Sequence, residues 1–325
     1  MHPAFSVIFL TTLIGAAQGL FLALFTVQTY AAFKLLPEPE ARAFYGQGSL
    51  LALALLVAGL AASFFHLGYP ERAWRAAARW RTSWLSREVI VLPAFMGVVF
   101  LYGAAHWVDW HPLLLTLPGG LPVDSSAILG VAGTLLAFAL FLCTAMIYAC
   151  LKFLGEWHSP LTVINFVLLG GASGFTLAAA FAAVTAPEMV SFLAGWAAII
   201  TLLGFVSRSA SLVRNARLKP KSTLQTAIGI KHPGIVQKAQ GFMGGSFNTR
   251  EFFHGRPAAV LRGVKWFFLV AAFPLPLLLL LSGMQGGSAV LAAAFVVQYL
   301  GLVAERWFFF AQANHPQNLY YRSIA

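Results

Sequence analysis

The stretch Ser63–Glu88, SFFHLGYPERAWRAAARWRTSWLSRE, joins two strongly apolar segments and decides how the chain is organised. His66 ends the first apolar run, and Glu88 opens the next. Between them lie five of the 21 Lys and Arg residues: Arg72, Arg75, Arg79, Arg81 and Arg87. Ionisable groups at a membrane edge are costly unless they are paired or hydrated, so His66 and Glu88 are candidate functional residues. The alternative is that both are interfacial anchors and the arginines only set topology.

The composition indicates an integral membrane protein. Of 325 residues, 59% are hydrophobic and only 10% are charged, whereas soluble proteins carry about 25% charged residues. The basic residues cluster in loops, which favours anionic lipid headgroups or an acidic partner over nucleic acid. The two cysteines, Cys143 and Cys150, are about two helical turns apart and form no CxxC motif. We therefore expect no iron–sulfur cluster in this chain.

Eight apolar runs are long enough to cross a bilayer, at roughly 20 residues each. They fall near 5–33, 47–66, 88–107, 126–150, 161–186, 189–207, 264–283 and 288–312. The boundary between the fifth and sixth depends on Thr185–Met189 acting as a very short turn, and merging them would leave seven spans. The sequence predicts an all-α integral membrane protein, a bundle of about eight transmembrane helices in a single polytopic domain over 1–325.

The distribution of basic residues predicts the orientation. All Lys and Arg except Lys34 and Arg42 fall on the side that holds both termini and the 67–87 and 208–263 loops. The positive-inside rule places that side in the cytoplasm, although a basic docking surface for a partner would give the same asymmetry. The 208–263 loop is long, Gly-rich and aromatic, which favours a lid that docks a partner.

The opposite side carries one long loop, 106–125, in which His106, Asp109 and His111 lie close together. These residues do not complete a metal ligand set, and we interpret the segment as a hydrated interfacial loop without a metal site. Near the C-terminus, Glu305 and Arg306 lie in an apolar run. Adjacent helical residues point about 100° apart, so partners on neighbouring helices are expected for both.

These residues favour a redox subunit with an apolar quinone pocket and a proton-exchanging group at its mouth. No His lies in the middle of a span, so we expect no haem. A transporter would need charges near the midplane, and although Pro93, Pro274 and Pro276 could kink helices, such charges are absent. A secondary transporter is therefore the second interpretation, and a purely structural anchor is the third.

Several separated motifs carry a family resemblance. FHLGYPERAWRAAARWRTSWLSREV resembles the HLG-P-RA…LS-E pattern of DmsC-type (NrfD/PsrC-like) anchors of molybdopterin oxidoreductases. The opening HPAFSVIFLTTLIGAAQGLFLALF, EWHSPLTVINFVLLGGASGFTLA, FMGGSFNTREFFHG and ERWFFFAQ are similar to the SoeC-like anchors of cytoplasmic sulfite dehydrogenases. The long 208–263 loop departs from the shorter DmsC-type anchors.

The resemblance implies a quinone-reactive subunit of a three-subunit oxidoreductase. Such an anchor passes electrons between an iron–sulfur subunit and ubiquinone or menaquinone. Molybdopterin and the iron–sulfur clusters belong to the partner subunits on the cytoplasmic side of the bacterial inner membrane, and this chain holds no haem. Sulfite oxidation is the implied reaction of the complex, and reduction of dimethyl sulfoxide or a similar acceptor is the alternative.

The resemblance also implies the site residues. His66 and Glu88 match family positions tied to quinone binding, and Glu305 and Arg306 match with a weaker assignment. We expect the quinone headgroup near the cytoplasmic ends of the second and third helices, with Arg81 and Arg87 holding the charge of Glu88 or binding lipid phosphates. The aromatic wall is expected from Phe64, Phe65, Trp84 and Trp307.

Overall fold

A computed structural model of the protein describes residues 4–65, 67–117, 121–219, 222–236 and 257–316. His66 and residues 237–256 of the long loop lie outside the described residues. Within the described part, eight helical segments are long and apolar enough to span a membrane, which confirms the eight-span prediction. They are Phe5–Ala32, Arg42–Phe64, Trp84–Trp107, Ser125–Ala149, Pro160–Thr185, Pro187–Ala216, Ala258–Gln285 and Ser288–Ala311.

The first six spans are built on one continuous α-helix each. The helices are α1 (Phe5–Ala32), α2 (Gln47–Phe64), α3 (Trp84–Trp107), α4 (Ser125–Ala149), α5 (Pro160–Thr185) and α6 (Val190–Ala216). A π-helical turn, Arg42–Gly46, precedes α2, and a 3-10 turn, Pro187–Met189, joins α5 to α6. The predicted short turn between the fifth and sixth spans is therefore confirmed.

Side-chain caps explain where three of these helices begin. Ser83 accepts a hydrogen bond from the backbone N–H of Ser86 at 3.4 Å, and Asp124 accepts one from Ala127 at 2.7 Å. Ser159 accepts one from Leu161 at 3.2 Å, with Pro160 at the first helical position. Each cap satisfies a backbone donor that has no partner within its helix.

The remaining elements are the loop structures and the helices of the last two spans. A 3-10 helix, Pro70–Arg79, occupies the arginine-rich loop, and a hairpin of β1 (Leu113–Leu117) and β2 (Leu121–Asp124) lies between α3 and α4. The sequence did not predict this hairpin. A five-residue helix, α7 (Leu224–Ile228), follows α6, and the last two spans contain α8 (Ala258–Ala271), α9 (Pro274–Gly286) and α10 (Ser288–Ala311).

The seventh span is interrupted at Ala272–Phe273, directly before Pro274. The kink expected from Pro274 and Pro276 is therefore confirmed, because proline lacks the N–H that would continue the backbone ladder. Nε2 of Gln298 on α10 donates to the hydroxyl of Thr201 at 3.0 Å and to the carbonyl of Ala272 at 3.4 Å. The backbone carbonyl of Ala272, which has no helical partner at the break, is thus hydrogen-bonded inside the protein. By contrast, α3 continues through Pro93.

Helix α1 is the centre of the bundle, packed against α2, α4, α5 and α10. We call the end of the bundle that carries the 67–87 and 151–160 loops the basic face, and the end that carries Lys34, Arg42 and the β-hairpin the charge-poor face. Helices α1 and α5 approach each other closely where Gly19 lies against Gly170 and Gly174. The small residues of GGASG (170–174) therefore allow close packing of these two helices.

We predict that Gly174→Ala destabilises the protein, because a Cβ at this position would overlap the backbone of Gly19 and Leu20. The expected loss is about 1–3 kcal/mol, as for other overpacked interiors. Gly195→Ala is the matched control, since a Cβ there meets no atom within 4 Å. Thermal unfolding in detergent should separate the two variants, and equal melting temperatures would contradict the close α1–α5 contact.

Candidate functional site

Glu88 lies in the second turn of α3 at the basic face, and its side chain points into the bundle. Only 6% of the residue is exposed. Its Oε1 accepts a hydrogen bond of 2.6 Å from the hydroxyl of Thr144 on α4. The sequence predicted a carboxylate at an aqueous boundary among arginines, whereas the structure places it behind that boundary. A buried carboxyl in an apolar bundle requires polar partners, and Thr144 supplies one.

A cavity adjoins Glu88, and residues of α1, α4, α5 and α10 complete its wall. Its apolar lining includes Phe141, Phe166 and Leu302. Its polar lining, besides Glu88, consists of Thr11, Thr12, Gln18, Thr144, Ser173 and Arg306. The space holds about one or two water molecules, so it suits hydrated proton carriers rather than an aromatic ring.

A buried ion cluster lies next to this cavity. Nε of Arg208 on α6 is 2.7 Å from Oε1 of Glu305, and Nε of Arg306 is 3.9 Å from Oε2 of the same carboxylate. All three residues are at most 5% exposed. The Nε–H of Arg208 is not aligned for a hydrogen bond to Glu305, although the two atoms are only 2.7 Å apart. The attraction between the two side chains is therefore mainly Coulombic. The structure confirms that Glu305 has a partner on a neighbouring helix, whereas the acidic group nearest to Arg306 is Glu305 on its own helix.

A second carboxyl group, that of Glu88, lies close to the three charges of this ion cluster at the basic face because it lines the same cavity as Arg306. Arg208, Glu305 and Arg306 together carry one net positive charge when ionised, and Glu88 lines the same cavity as Arg306. Isolated buried charges are strongly unfavourable, so a second carboxylate near the cluster reduces the cost of burying it. The guanidinium of Arg306 also lies 3.7 Å from the ring centroid of Phe166, which is a cation–π contact.

Sequence reasoning missed Arg208 and Thr144 as partners of the acidic residues. The sequence predicts that SRSASLVRNARLKPK extends the sixth helix with a basic face, and α6 does continue to Ala216, but Arg208 is buried rather than exposed on that face. A signal was present, because Arg208 directly follows the apolar run of the sixth span and a basic residue there needs an acidic partner. Thr144 carried no such signal, since threonine is common in transmembrane helices.

The arginines of the 67–87 loop do not surround Glu88. Arg87 donates hydrogen bonds to the carbonyls of Trp80 at 2.9 Å and Arg81 at 2.8 Å, and its guanidinium lies 4.2 Å from the ring centroid of Trp84. These contacts differ from the expected pairing of Arg87 and Arg81 with Glu88. Arg81 is exposed and lies 5.3 Å from the Trp80 ring centroid.

The structure separates the expected aromatic wall into two regions. Phe65 is 88% exposed at the end of α2, with Phe64 beside it and Trp84 half-buried at the start of α3. Trp307 is buried in a different cluster at the basic end of α10, together with Phe308, Phe309 and Phe310. The roles of these residues and of His66, which lies outside the described residues, remain predictions.

The 151–160 loop is fixed to this second cluster. The indole N–H of Trp157 donates to the carbonyl of Phe309 at 2.9 Å, and Arg214 donates to the carbonyls of Gly155 and His158 at 3.0 Å each. Burial raises the pKa of Glu156 in this loop. Over the described ranges, no three His, Cys, Asp or Glu side chains converge as a metal site.

We predict that Glu305→Gln lowers stability by about 3–5 kcal/mol, because it leaves Arg208 and Arg306 buried without a carboxylate. Replacing both partners, as in Arg208→Met with Glu305→Leu, should restore much of this loss. Arg72→Gln is the control, since Arg72 is exposed and its contacts, an ion pair with Glu71 and a cation–π contact with Tyr69, lie at the surface. Thermal unfolding measures the difference, and a Glu305→Gln variant as stable as the control would contradict a charge-balanced cluster.

Comparison with known proteins identifies the family of this bundle. The family model described as DMSO reductase anchor subunit (DmsC) matches residues 1–310. A protein from Allochromatium vinosum that is named as a subunit of sulfite dehydrogenase is 61% identical over 326 residues, and the match covers all of both chains. Together with the eight spans, these matches show that the chain belongs to the DmsC family of membrane anchor subunits of molybdoenzymes.

Proposed function

We propose that this chain is the quinone-reactive anchor of a three-subunit molybdenum and iron–sulfur oxidoreductase that oxidises sulfite. The full-length relative that is named as a sulfite dehydrogenase subunit supports this reaction over others. The observation that carries the proposal is the buried carboxyl of Glu88, which lines a polar cavity with Arg306 at the basic face. A quinone reaction at a membrane surface requires such a proton carrier next to an apolar site.

Glu88 is the proton carrier in this proposal. Quinone, when bound, supplies two-electron redox chemistry that is coupled to two protons. The cavity is too small for the ring, so the headgroup position is outside it, at the basic ends of α2 and α3, where Phe65 and Trp84 lie. His66 follows Phe65 directly and can donate and accept hydrogen bonds through its two ring nitrogens. In this proposal, Glu88 and water in the cavity exchange protons with His66 from the interior side of the headgroup position.

Arg306 acts as a positioning residue for Glu88. Its guanidinium lines the same cavity as the Glu88 carboxyl group, so its positive charge faces that group across the cavity. Glu305 holds Arg306 from one side, and the Phe166 ring supports it from another. The ionised carboxylate of Glu88 can accept a proton, and the hydroxyl of Thr144 keeps it directed toward the cavity.

Partner subunits dock on the basic face, which we assign to the cytoplasm. The 3-10 helix Pro70–Arg79 contains no buried residue and exposes Arg72, Trp74 and Arg75. Exposed arginines with interleaved aromatic rings are typical of protein interfaces. The electrons would enter from an iron–sulfur subunit at this face, close to the proposed headgroup position.

Reduction of a sulfoxide by quinol is the second candidate for the complex. The matching family model is described as a DMSO reductase anchor subunit, which favours this alternative. The anchor chemistry would be the same in reverse, with Glu88 and His66 releasing protons from quinol rather than supplying them to quinone.

We predict that Glu88→Gln abolishes most quinone-linked turnover of the assembled complex while leaving turnover with an artificial dye intact. The amide keeps the hydrogen bond from Thr144 but cannot carry a proton, and loss of a positioned proton carrier typically costs about 10²–10⁴-fold in rate. His66→Phe should show the same separation of the two activities. Glu188→Gln is the control, because Glu188 lies in the turn between α5 and α6 at the charge-poor face.

Two outcomes would contradict this assignment. Full quinone-linked activity in Glu88→Gln would remove Glu88 from the proton path. Equal loss of quinone-linked and dye-linked turnover would show that the substitution acts through assembly of the complex rather than through proton transfer.

A further inference from the structure

A second buried polar cluster lies at the charge-poor face. His106 is the next-to-last residue of α3 and is 3% exposed. Its ring centroid is 4.6 Å from that of Tyr45, in the turn before α2, and 4.6 Å from that of Tyr102, one turn earlier in α3. Two phenol rings thus enclose an imidazole that no quinone-linked role requires.

His106 and Tyr45 carry polar atoms that are not paired with protein groups in the described part of the chain. Both ring nitrogens of His106 and the hydroxyl of Tyr45 are buried and have no hydrogen-bond partner among the residues that the structure describes. A neutral imidazole has one donor and one acceptor nitrogen, and a phenol can do both. Buried polar groups of this kind are usually satisfied by internal water.

A hydrogen-bonded chain holds one wall of the cluster in place. Tyr102 donates to Oε1 of Gln28 at 2.8 Å, and Nε2 of Gln28 donates to the hydroxyl of Ser126 at 2.6 Å. Ser126 in turn donates to Oδ1 of Asp124 at 2.8 Å. Each donor in this series of hydrogen bonds points toward the next group, and the series ends at the Asp124 carboxylate. The oxygen of Tyr102 is therefore free to accept a hydrogen bond from water beside His106.

Titratable groups connect the cluster to the aqueous phase. The ring centroid of His111 is 5.6 Å from that of His106, and Nε2 of His111 is 3.3 Å from Oδ1 of Asp109. The side chain of Asp109 is 84% exposed and that of His111 is 31% exposed. Exposure thus falls stepwise from Asp109 through His111 to His106, and one water molecule can bridge the two imidazoles.

The groups that face His106 come from every neighbouring element. The loop after α3 contributes Asp109 and His111, the start of α4 contributes Asp124, and the turn before α2 contributes Tyr45. The cation of that turn, Arg42, lies over the Trp107 ring at 4.5 Å. His106 therefore faces two carboxylates, those of Asp109 and Asp124, and the imidazole of His111. Gain or loss of a proton by His106 changes the charge balance among these groups.

This cluster is remote from the Glu88 cavity. Glu88 and His106 are separated by 18 residues of one helix, about 27 Å at 1.5 Å per residue. Buried apolar side chains of α3, Leu92, Phe95 and Val99, lie between them. The two polar sites therefore contact opposite aqueous phases.

We propose that His106, Tyr45 and Tyr102 form a water-filled proton-exchange site that equilibrates with the aqueous phase of the charge-poor face through His111 and Asp109. The imidazole of His106 gains the proton that water, His111 or Asp109 releases, and returns it by the same route. No electron transfer and no change in carbon bonding are involved. The ligands of the site are water and a single proton.

Hydrogen–deuterium exchange at the C2 position of each histidine tests the proposal, because its rate reports the protonation and water access of the individual imidazole. The intact complex is incubated in deuterated buffers between about pH 3 and pH 8, a range that extends below the usual titration range of histidine, and the peptides are analysed by mass spectrometry. We expect a pH-dependent step in the exchange rate of His106 and a shift of its midpoint in Tyr45→Phe.

Tyr45→Phe removes only a hydroxyl that has no protein partner within the described ranges, so folding should be retained. Tyr299→Phe is the control variant, since the Tyr299 hydroxyl lies 3.1 Å from Thr12 on a different helix pair, and the midpoint of His106 should not move there. A rate at His106 that stays flat across the pH range overturns the proposal. A midpoint that Tyr45→Phe leaves unchanged also overturns it.

Discussion

The arrangement of the basic face depends on one constraint: charges buried in an apolar bundle must balance. Arg208 and Arg306 lie almost fully buried beside Glu305, 2.7 and 3.9 Å from its oxygens, and Glu88 lines the cavity that Arg306 faces. These residues belong to α3, α6 and α10, so the balance exists only when those helices are assembled. The cost of leaving any member unpaired favours a single arrangement of the helices.

The same charge balance gives the anchor its proposed chemistry. A carboxylate that is buried for packing alone would be replaced more cheaply by an apolar side chain, whereas Glu88 lines a cavity with six other polar residues. The cavity extends from α1 to α10 and is large enough for water but too small for an aromatic ring. In our proposal, the aromatic headgroup therefore remains at the bundle edge and only protons enter. The second polar cluster, around His106, is separated from this one by an apolar layer.

Much of the architecture could be predicted from sequence, because a segment that crosses the membrane is recognised by its length and apolar composition alone. Eight apolar runs gave eight spans, and Pro274 marked the break in the seventh. The sixth helix continues beyond its apolar run, 189–207, as predicted for its basic extension, but the burial of Arg208 in that extension was not predicted. Hydropathy falls at Arg208, the first charged residue after that run, but the helical hydrogen bonds continue to Ala216. Arg208 can lie buried because it pairs with Glu305.

The contacts of the candidate site were not predictable in the same way. Glu88 was recognised by its position after the arginine-rich loop, but its partner Thr144 lies 56 residues away on α4, and no local pattern specifies which helices meet. The rings around His106 come from the turn before α2 and from α3 itself, so His106 looked like part of a hydrated loop. Pairings of this kind depend on tertiary packing rather than on periodicity.

Electron transfer from sulfite to quinone is the central claim, and its direct test uses the complex purified through a tag on this chain. The measurement is sulfite-driven reduction of a short-chain ubiquinone analogue, compared with the same partner subunits isolated without the anchor. Our account predicts that the complete complex reduces the quinone, whereas the partners alone reduce only an artificial dye. Isolation of the chain without molybdenum and iron–sulfur partners, or equal quinone reduction with and without the anchor, would contradict it.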